Sequence, residues 1–376
     1  MNLQKELRII KYLFLDFQNN EYIPNKVQWK PEEGLFHIKE YEVSFPTAEY
    51  KNRDATLWRY KEALPFENTA SASNLTLGEG MTPLVRLDPN EPHLLMKMDY
   101  LMPTGSFKDR GAAVLIAKAL ELGVTSVIAD SSGNAGTSIA AYCSRANIKC
   151  HIYVPSSTAP KKLAQIEAYG AKVMKISGTR EETAQEAKRA VENEKAFYAS
   201  HVYNPYFYEG TKTIAFEIWE QLHFQVPDKL VLPVGNGSLL LGAYRGFKNL
   251  RDAGVTTKLP QIVAVQSEGC SPIARAFRND ENVSPVENVG TLAEGIAIAN
   301  PARGDQVLQA IRDTKGTIYI APEEDIEPAK KELSLKGFFV EPTTAATYAA
   351  FKKYKNKLVK PNEVIVMTLC GSGLKK

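Results

Sequence analysis

From Leu95 onward the chain alternates short apolar strands with amphipathic helices, and this alternation constrains the fold more than any other feature. Apolar runs of strand length between helices are typical of parallel sheets covered by helices, so the pattern predicts an α/β fold. Residues 1–75 show no clear alternation, and we expect them to form an irregular N-terminal extension. The predicted strands are Ser126–Ala129, Cys150–Val154, Lys172–Ile176, Leu230–Val234, Ile262–Gln266 and Val364–Leu369. The predicted helices are Lys108–Leu122, a helix that follows the loop Ser131–Gly136 and continues through Ala146, Pro160–Tyr169, Glu181–Asn193 and Leu239–Leu250.

One lysine lies between a Pro/Gly turn and a predicted helix, in the run Pro103-Thr104-Gly105-Ser106-Phe107-Lys108-Asp109-Arg110-Gly111. A lysine that bonds a carbonyl compound as a Schiff base must be held at a fixed point, and a rigid turn does this. The run therefore favours Lys108 as a catalytic nucleophile over an ordinary surface lysine.

Two further loops lie between a predicted strand and a predicted helix. Ser131-Ser132-Gly133-Asn134-Ala135-Gly136 offers free backbone N–H groups at a helix start, which suit a carboxylate. Gly235-Asn236-Gly237-Ser238 exposes backbone N–H groups that suit a phosphate. The second loop is neither a dinucleotide fingerprint, since Leu240 replaces the third glycine, nor a nucleotide P-loop. Each loop taken alone also fits a simple strand–helix turn.

With the C-terminal run Leu369-Cys370-Gly371-Ser372-Gly373-Leu374, these motifs resemble the pyridoxal-phosphate (PLP) enzymes of the tryptophan synthase β-subunit fold, called fold type II. The likeness is closest to the threonine synthase family and covers most of the chain after Thr56. Other similar segments are Leu57–Tyr60, Leu77–Leu84, Asn204-Pro205 with Glu209–Thr213, Gly290–Ala297 and Glu341–Ala346.

The resemblance implies two three-layer α/β/α domains with PLP in the cleft between them, often in a homodimer. The large PLP-binding domain would comprise residues 1–122 and 206–376. The smaller domain, residues 123–205, would bind the substrate carboxylate and move when substrate binds.

The resemblance also implies residue roles. Lys108 would bond PLP and, once released by substrate, move protons at Cα and Cβ. Asn134 would donate a hydrogen bond to the phenolic oxygen of PLP. Cys370 takes the place before the Gly-x-Gly that faces the pyridine nitrogen, where its neutral thiol does not force protonation; alternatively it is a small buried apolar residue. The remaining expected contacts are Gly235, Asn236, Gly237 and Ser238 for the cofactor phosphate, and Ser131, Ser132, Gly133 and Thr104 for the substrate.

Three departures from the family concern the substrate. Phe207 stands where relatives carry an arginine after Asn-Pro, and a phenyl ring cannot bind the phosphate of O-phosphohomoserine. Met102 replaces the usual asparagine before Pro-Thr-Gly-Ser-Phe-Lys, and the N-terminal cysteine pairs of many relatives are absent. Lys212 or Arg303 could compensate for Phe207.

Two PLP-dependent lyase reactions therefore stay open. One is threonine synthesis from O-phosphohomoserine, a step of amino-acid metabolism. The other is a threonine or serine dehydratase (ammonia-lyase) reaction, or another β-elimination or replacement. A third possibility is a PLP carrier that has lost its chemistry, against which the complete set of motifs argues.

Composition excludes other classes of function. The formal net charge is +3, from 46 basic and 43 acidic residues, and the charges are interspersed, so no nucleic-acid partner is expected. The longest apolar runs are too short for a membrane span. The N-terminus Met1–Glu6 lacks a signal-peptide pattern, and the apolar run from Ile9 to Leu15 is interrupted by Lys11. Four scattered cysteines fit reduced thiols in a cytoplasmic protein, and the five histidines show no metal-ligand spacing.

Overall fold

The computed structural model describes residues 12–25, 28–66 and 72–375. Its strands are β1 Phe14–Leu15, β2 Glu21–Tyr22, β3 His37–Ile38, β4 Leu84–Arg86, β5 Leu94–Lys97, β6 Ser126–Ala129, β7 Lys149–Pro155, β8 Lys172–Ile176, β9 Phe197–Tyr198, β10 Lys229–Pro233, β11 Gln261–Ser267, β12 Thr317–Ala321 and β13 Ile365–Thr368. Its helices are α1 Thr47–Tyr50, α2 Lys108–Glu121, α3 Asn134–Ala146, α4 Pro160–Ala168, α5 Arg180–Glu194, α6 Tyr206–Thr211, α7 Thr213–Gln221, α8 Ser238–Asp252, α9 Pro272–Asn279, α10 Gly304–Asp313, α11 Ile326–Leu335 and α12 Pro342–Leu358. The N-terminal stretch Met1–Glu6 and the start of the apolar run at Ile9 lie outside the described residues.

The chain divides into two compact units. The first unit contains residues up to 54, 58–77 and 111–210, and the second contains residues 55–57, 78–110 and 211–376. In the second unit a six-stranded sheet has the order β12-β11-β10-β13-β5-β4, and every neighbouring pair is parallel except β4 with β5. Strand β10 is buried at every residue, as expected for a central parallel strand.

The first unit contains a parallel sheet of order β8-β7-β6-β9. Its strands alternate with helices α3, α4 and α5. Helix α5 begins with a capping box, in which Thr179 and Glu182 each bond the other's backbone N–H, so this helix start is specified locally. The α/β prediction is confirmed, and the predicted strand Lys172–Ile176 coincides with β8.

The N-terminal residues pack on the first unit, which differs from the expected division into 1–122 plus 206–376 and 123–205. A small antiparallel sheet, β2-β1-β3, carries Tyr12 and Phe14 against Tyr206, with ring centroids 5.9 and 5.3 Å apart. Trp29 packs edge-on against Tyr198, 5.0 Å between centroids. These buried aromatic contacts explain why the described N-terminal segments group with the smaller sheet. In residues 12–25, 28–66 and 72–375, no helix combines the length and apolar character needed to cross a membrane.

Candidate active site

The lysine turn of the second unit is held by side chains on both sides. Asp109 accepts hydrogen bonds from the backbone N–H and the hydroxyl of Thr104, at 2.7 and 2.6 Å. Lys375 Nζ donates to the Thr104 carbonyl oxygen at 2.8 Å. Gly105 has a φ of 83°, a left-handed conformation that favours glycine. These contacts hold the turn in one conformation, as the sequence predicts. The Thr104 hydroxyl donates its proton within the turn, to Asp109.

The C-terminal segment of the chain runs alongside this turn. Phe107 N–H donates to the Cys370 carbonyl oxygen at 3.0 Å, and Ser372 N–H donates to that of Gly105 at 2.9 Å. An isolated bridge also pairs Ser106 with Gly371. The predicted pyridine-nitrogen residue and the predicted cofactor lysine thus lie on adjacent backbone segments.

The Lys108 side chain reaches the loop Gly235-Asn236-Gly237-Ser238, which is expected to bind phosphate and is called the phosphate cup below. It is the first residue of α2 and is half-buried, and its Nζ donates to Ser238 Oγ at 3.0 Å. Ser238 is the first residue of α8, where backbone N–H groups have no partner within the helix. The amine and the loop expected to bind phosphate are therefore neighbours.

The cup itself requires glycine. Gly237 has a φ of 81°, and an added Cβ would overlap Val307 Cγ2. At Gly235 an added Cβ would lie 3.0 Å from the Ile296 Cα atom. Asn236 is half-buried between them. A backbone cradle that a side chain would fill, at the start of a long helix and beside a lysine, fits the phosphate of PLP.

The predicted carboxylate loop belongs to the first unit. Ser131 and Ser132 are half-buried, Gly133 is exposed at the N-cap of α3, and Asn134 is the first residue of that helix. An added Cβ at Gly136 would overlap the Ser131 carbonyl oxygen, so this glycine permits the close approach of loop and helix. Four predicted contacts therefore share one strand–helix turn.

The position of Phe207 bears on the substrate. Its side chain is 0% exposed, and an added Cβ at Gly111 would overlap its ring. The neighbouring His201 ring lies 6.0 Å from it, centroid to centroid. Phe207 is thus a core residue of the first unit. The two proposed substitutes for an arginine there, Lys212 and Arg303, are also buried, and Met102 is buried with its Sδ accepting from Gly80 N–H at 3.4 Å.

A buried ionic cluster that sequence reasoning missed lies directly behind the lysine turn. Arg110 donates to Asp99 at 2.7 and 2.8 Å and to Glu217 at 2.5 and 2.8 Å. Lys97 Nζ donates to Glu217 at 2.7 Å. All four side chains are 0% exposed.

Charge pairing makes this burial tolerable. Burial would raise the pKa of Glu217, but the charges of Arg110 and Lys97 outweigh it and lower that pKa to about 2. Burial also lowers the pKa of Lys97, against the opposing charge of Glu217. The cluster therefore fixes the first turn of α2, which carries Lys108.

The family of the chain follows from comparison with known proteins. The pyridoxal-phosphate dependent enzyme family matches residues 75–371. The chain belongs to this family, and its cofactor is PLP.

Relatives of known activity show which members of this family the chain resembles. A threonine synthase of Methanocaldococcus jannaschii is 37% identical over 352 residues, which span 91% of this chain and 86% of the relative. A threonine synthase of Methanosarcina acetivorans is 36% identical over 86% of this chain and 81% of its own length. Among solved structures, maize serine racemase superposes with a TM-score of 0.70 at 22% identity and covers 85% of this chain and 94% of its own. At this identity the superposition is evidence for the fold alone.

Proposed function

We propose that the protein is a threonine synthase, a carbon–oxygen lyase that converts O-phosphohomoserine and water into threonine and phosphate. The threonine synthases that match over most of the chain support this reaction. The structural observation that carries the proposal is the 3.0 Å contact between Lys108 Nζ and Ser238 Oγ. This contact supports the proposal because the amine proposed to hold the cofactor then lies beside the glycine loop proposed to bind its phosphate.

Bound PLP withdraws electrons from the substrate, so that protons leave its Cα and Cβ more easily. Lys108 would hold the cofactor and, once substrate displaces it, carry those protons. The hydroxyl of Ser238 accepts a hydrogen bond from Lys108 Nζ and so orients the amine. Gly235, Asn236 and Gly237 would bind the cofactor phosphate through the backbone, and Cys370 would face the pyridine nitrogen.

Residues of the first unit would bind the substrate. The loop Ser131-Ser132-Gly133 would accept the substrate carboxylate, and Asn134 would donate to the phenolic oxygen of the cofactor. Thr104, in the second unit, would contact substrate through its hydroxyl oxygen, whose proton is donated to Asp109.

A dehydratase acting on threonine or serine is the second candidate. One observation favours it: Phe207 is a core residue that supplies no charge for a substrate phosphate. Loss of a charge-assisted hydrogen bond typically costs about 1.5–3 kcal/mol. A threonine synthase with this residue must therefore bind the leaving group through other side chains.

One assay separates these candidates. Purified, PLP-loaded protein is given O-phosphohomoserine or, in parallel, threonine and serine, and release of phosphate and of 2-oxo acid is measured. Phosphate with threonine as product supports the proposal. A 2-oxo acid and ammonia from the hydroxy amino acids, with O-phosphohomoserine untouched, would establish a dehydratase. A bound cofactor without turnover of any of these substrates would point to a carrier.

A lysine variant tests the assignment of the site. Lys108→Ala should lose both turnover and the absorbance band of covalently held PLP, because no other amine would take its place. Lys172→Ala, which alters an exposed lysine of β8, is the matched control and should keep both. An unchanged absorbance band in Lys108→Ala would refute the assignment.

We also propose that the enzyme is a cytoplasmic homodimer. The family resemblance supports the dimer, and the scattered cysteines, all four without a disulfide bond, support a reducing compartment. Light scattering at micromolar concentration should give twice the chain mass of 41.7 kDa, whereas a value near one chain mass would contradict a dimer.

A further inference from the structure

Asp130 is half-buried and links the end of strand β6 to the loop Ser131-Ser132-Gly133, which is proposed to bind the substrate carboxylate. Strand β9 is a neighbour of β6 in the smaller sheet, and Ile128 pairs with Tyr198. Because side chains alternate along a strand, Asp130 points to the same face as Ile128 and Tyr198. On that face the Tyr198 hydroxyl donates to Asp130 Oδ1 at 2.8 Å. A side chain of the neighbouring strand is therefore bonded to the start of the loop.

The ionisation of these two groups decides which of them donates. Burial raises the pKa of Tyr198 well above its ordinary value, and the charge of Asp130 adds to that increase. Burial also raises the pKa of Asp130, whereas the hydrogen bond from Tyr198 and the charges of Arg180 and Lys188 oppose the increase. Tyr198 therefore keeps its proton and donates the hydrogen bond, and the Asp130 carboxyl oxygen accepts it.

Tyr198 is itself held on several sides within the first unit. Its side chain is 1% exposed, with the Trp29 ring edge-on at 5.0 Å and the Tyr203 ring stacked at 6.0 Å, centroid to centroid. Its carbonyl oxygen accepts a hydrogen bond from Asn204 Nδ2 at 3.1 Å. Because both the ring and the backbone of Tyr198 are packed and bonded, its hydroxyl is a fixed point to which Asp130 is attached.

We propose that Asp130 is a positioning residue that, through its hydrogen bond from Tyr198, holds the loop Ser131-Ser132-Gly133 in the conformation that binds the substrate carboxylate. The inference rests on the proposed function, specifically on the assignment of that loop to the carboxylate. It applies to either candidate reaction, because both substrates are α-amino acids. The N-terminal segment takes part in this arrangement, because its Trp29 packs against Tyr198.

The two ends of the loop are held in different ways, and this gives the expected effect. At the far end, the Thr137 N–H of helix α3 donates to the Gly133 carbonyl oxygen at 3.1 Å. At the near end, the side-chain bond is the one between Tyr198 and Asp130. Loss of that bond would release the near end while α3 still holds the far end. A loop that is in its binding conformation for about one-tenth of the time binds its ligand about tenfold more weakly.

The test compares how full-length, PLP-loaded variants bind a small amino acid. L-2-Aminobutyrate is the probe, because it has the carboxylate and amine of both candidate substrates and no leaving group. Its dissociation constant is measured from the change in the absorbance of bound PLP. Tyr198→Phe and Asp130→Ala should each weaken binding about tenfold, with PLP retention unchanged, because they remove the same hydrogen bond. For the same reason, the double variant should bind no more weakly than either single variant.

Two further variants separate positioning from packing and from charge. Asp130→Asn keeps an oxygen that accepts from Tyr198, so it should bind the probe within about twofold of native protein. Tyr203→Phe removes a hydroxyl from the same aromatic cluster, one that accepts from Lys188 at 3.0 Å, and it should also bind like native protein. Binding by Tyr198→Phe within about twofold of native protein, or a loss in Asp130→Asn as large as in Asp130→Ala, would overturn the inference.

The proposed function fails by different results. Turnover of threonine or serine in place of O-phosphohomoserine would refute the proposed reaction and leave the comparison of variants intact, because the probe resembles both substrates. With whichever substrate is turned over, Tyr198→Phe and Asp130→Ala should raise KM about tenfold and leave kcat within about twofold. PLP-loaded native protein that neither binds the probe nor turns over any of these substrates would overturn the carboxylate assignment and this inference together.

Discussion

Replacing Arg110 by methionine tests whether the buried ionic cluster holds the lysine turn. Four hydrogen bonds to Asp99 and Glu217 would be lost, in a site where all of these side chains are 0% exposed. Glu217 keeps its 2.7 Å bond from the charged Lys97, whereas Asp99 keeps the 2.7 Å bond from the neutral Thr82 hydroxyl. Removing one partner of a buried ion pair costs about 3–5 kcal/mol, because it leaves an uncompensated charge. Since a single carboxylate is left uncompensated, we expect about 3 kcal/mol.

The assay is urea unfolding at fixed excess PLP, followed by the fluorescence of Trp219. This residue is 2% exposed and lies two positions after Glu217 on α7, so it reports on the same unit. Trp29→Phe and Trp58→Phe in every variant make it the sole tryptophan. The reasoning predicts that Asp99→Asn, added to Arg110→Met, restores about 1–2 kcal/mol by removing the uncompensated charge. If Asp99→Asn lowers stability further in that background, the charge argument is refuted.

Three shorter predictions concern the cup, acid stability and the C-terminal lysine. Gly237→Ala should weaken PLP retention about tenfold, because a left-handed backbone costs alanine about 1–2 kcal/mol and the new Cβ meets Val307. Cofactor absorbance after dialysis measures the retention. Unchanged occupancy would contradict the assignment of the phosphate cup. The pKa of Glu217 falls from 4.5 to about 2, because the charges of Arg110 and Lys97 outweigh the effect of burial. The ionised Glu217 therefore contributes about 3 kcal/mol to the unfolding free energy above about pH 4.5, and this contribution is lost as the pH falls toward 2. Glu217→Gln should flatten that acid limb of the unfolding free energy, and an unchanged slope would count against the low pKa. Burial lowers the pKa of Lys375 below its unfolded value of 10.5, so stability should rise as the pH increases toward 10.5, and Lys375→Met should remove this rise in the thermal midpoint.

The sequence predicts elements well where the period is regular and poorly where contacts are distant. The predicted helix end at Ala146 coincides with the end of α3, whose start at Asn134 lies within the predicted loop. Strand β7 extends one residue beyond its predicted strand at each end, and Lys149 pairs with Ser126. Strand β9 has two residues and is too short to show alternation. The packing of Tyr12 on Tyr206 joins residues 194 positions apart, which no local pattern can indicate.

The candidate site shows the same difference between residues that a local sequence pattern indicates and residues that meet only in the folded chain. Lys108 and the cup beside it were predictable because each lies at a strand–helix or turn–helix junction with characteristic glycines. Asp109 and Lys375 were missed as partners of the site, although the Thr104–Asp109 pair spans five positions and lies within the recognised motif. Lys375 bonds a residue 271 positions away and Arg110 bonds one 107 positions away. Such pairings depend on the topology of the sheet and not on any sequence period.

The second unit contains two kinds of constraint on Lys108, and they act on different parts of the residue. The buried cluster, Asp109 and Lys375 hold the backbone around it, whereas its amine donates a hydrogen bond to the neutral Ser238 hydroxyl at 3.0 Å. A backbone held in place around the lysine suits a residue that must release the cofactor to substrate and then carry protons at a defined position. The side chain of Phe207 is buried and packs against Gly111, in the first turn of the helix that begins at Lys108. A smaller side chain at position 207 would therefore leave a cavity beside the helix that carries Lys108, so its effect would be on the packing of that helix.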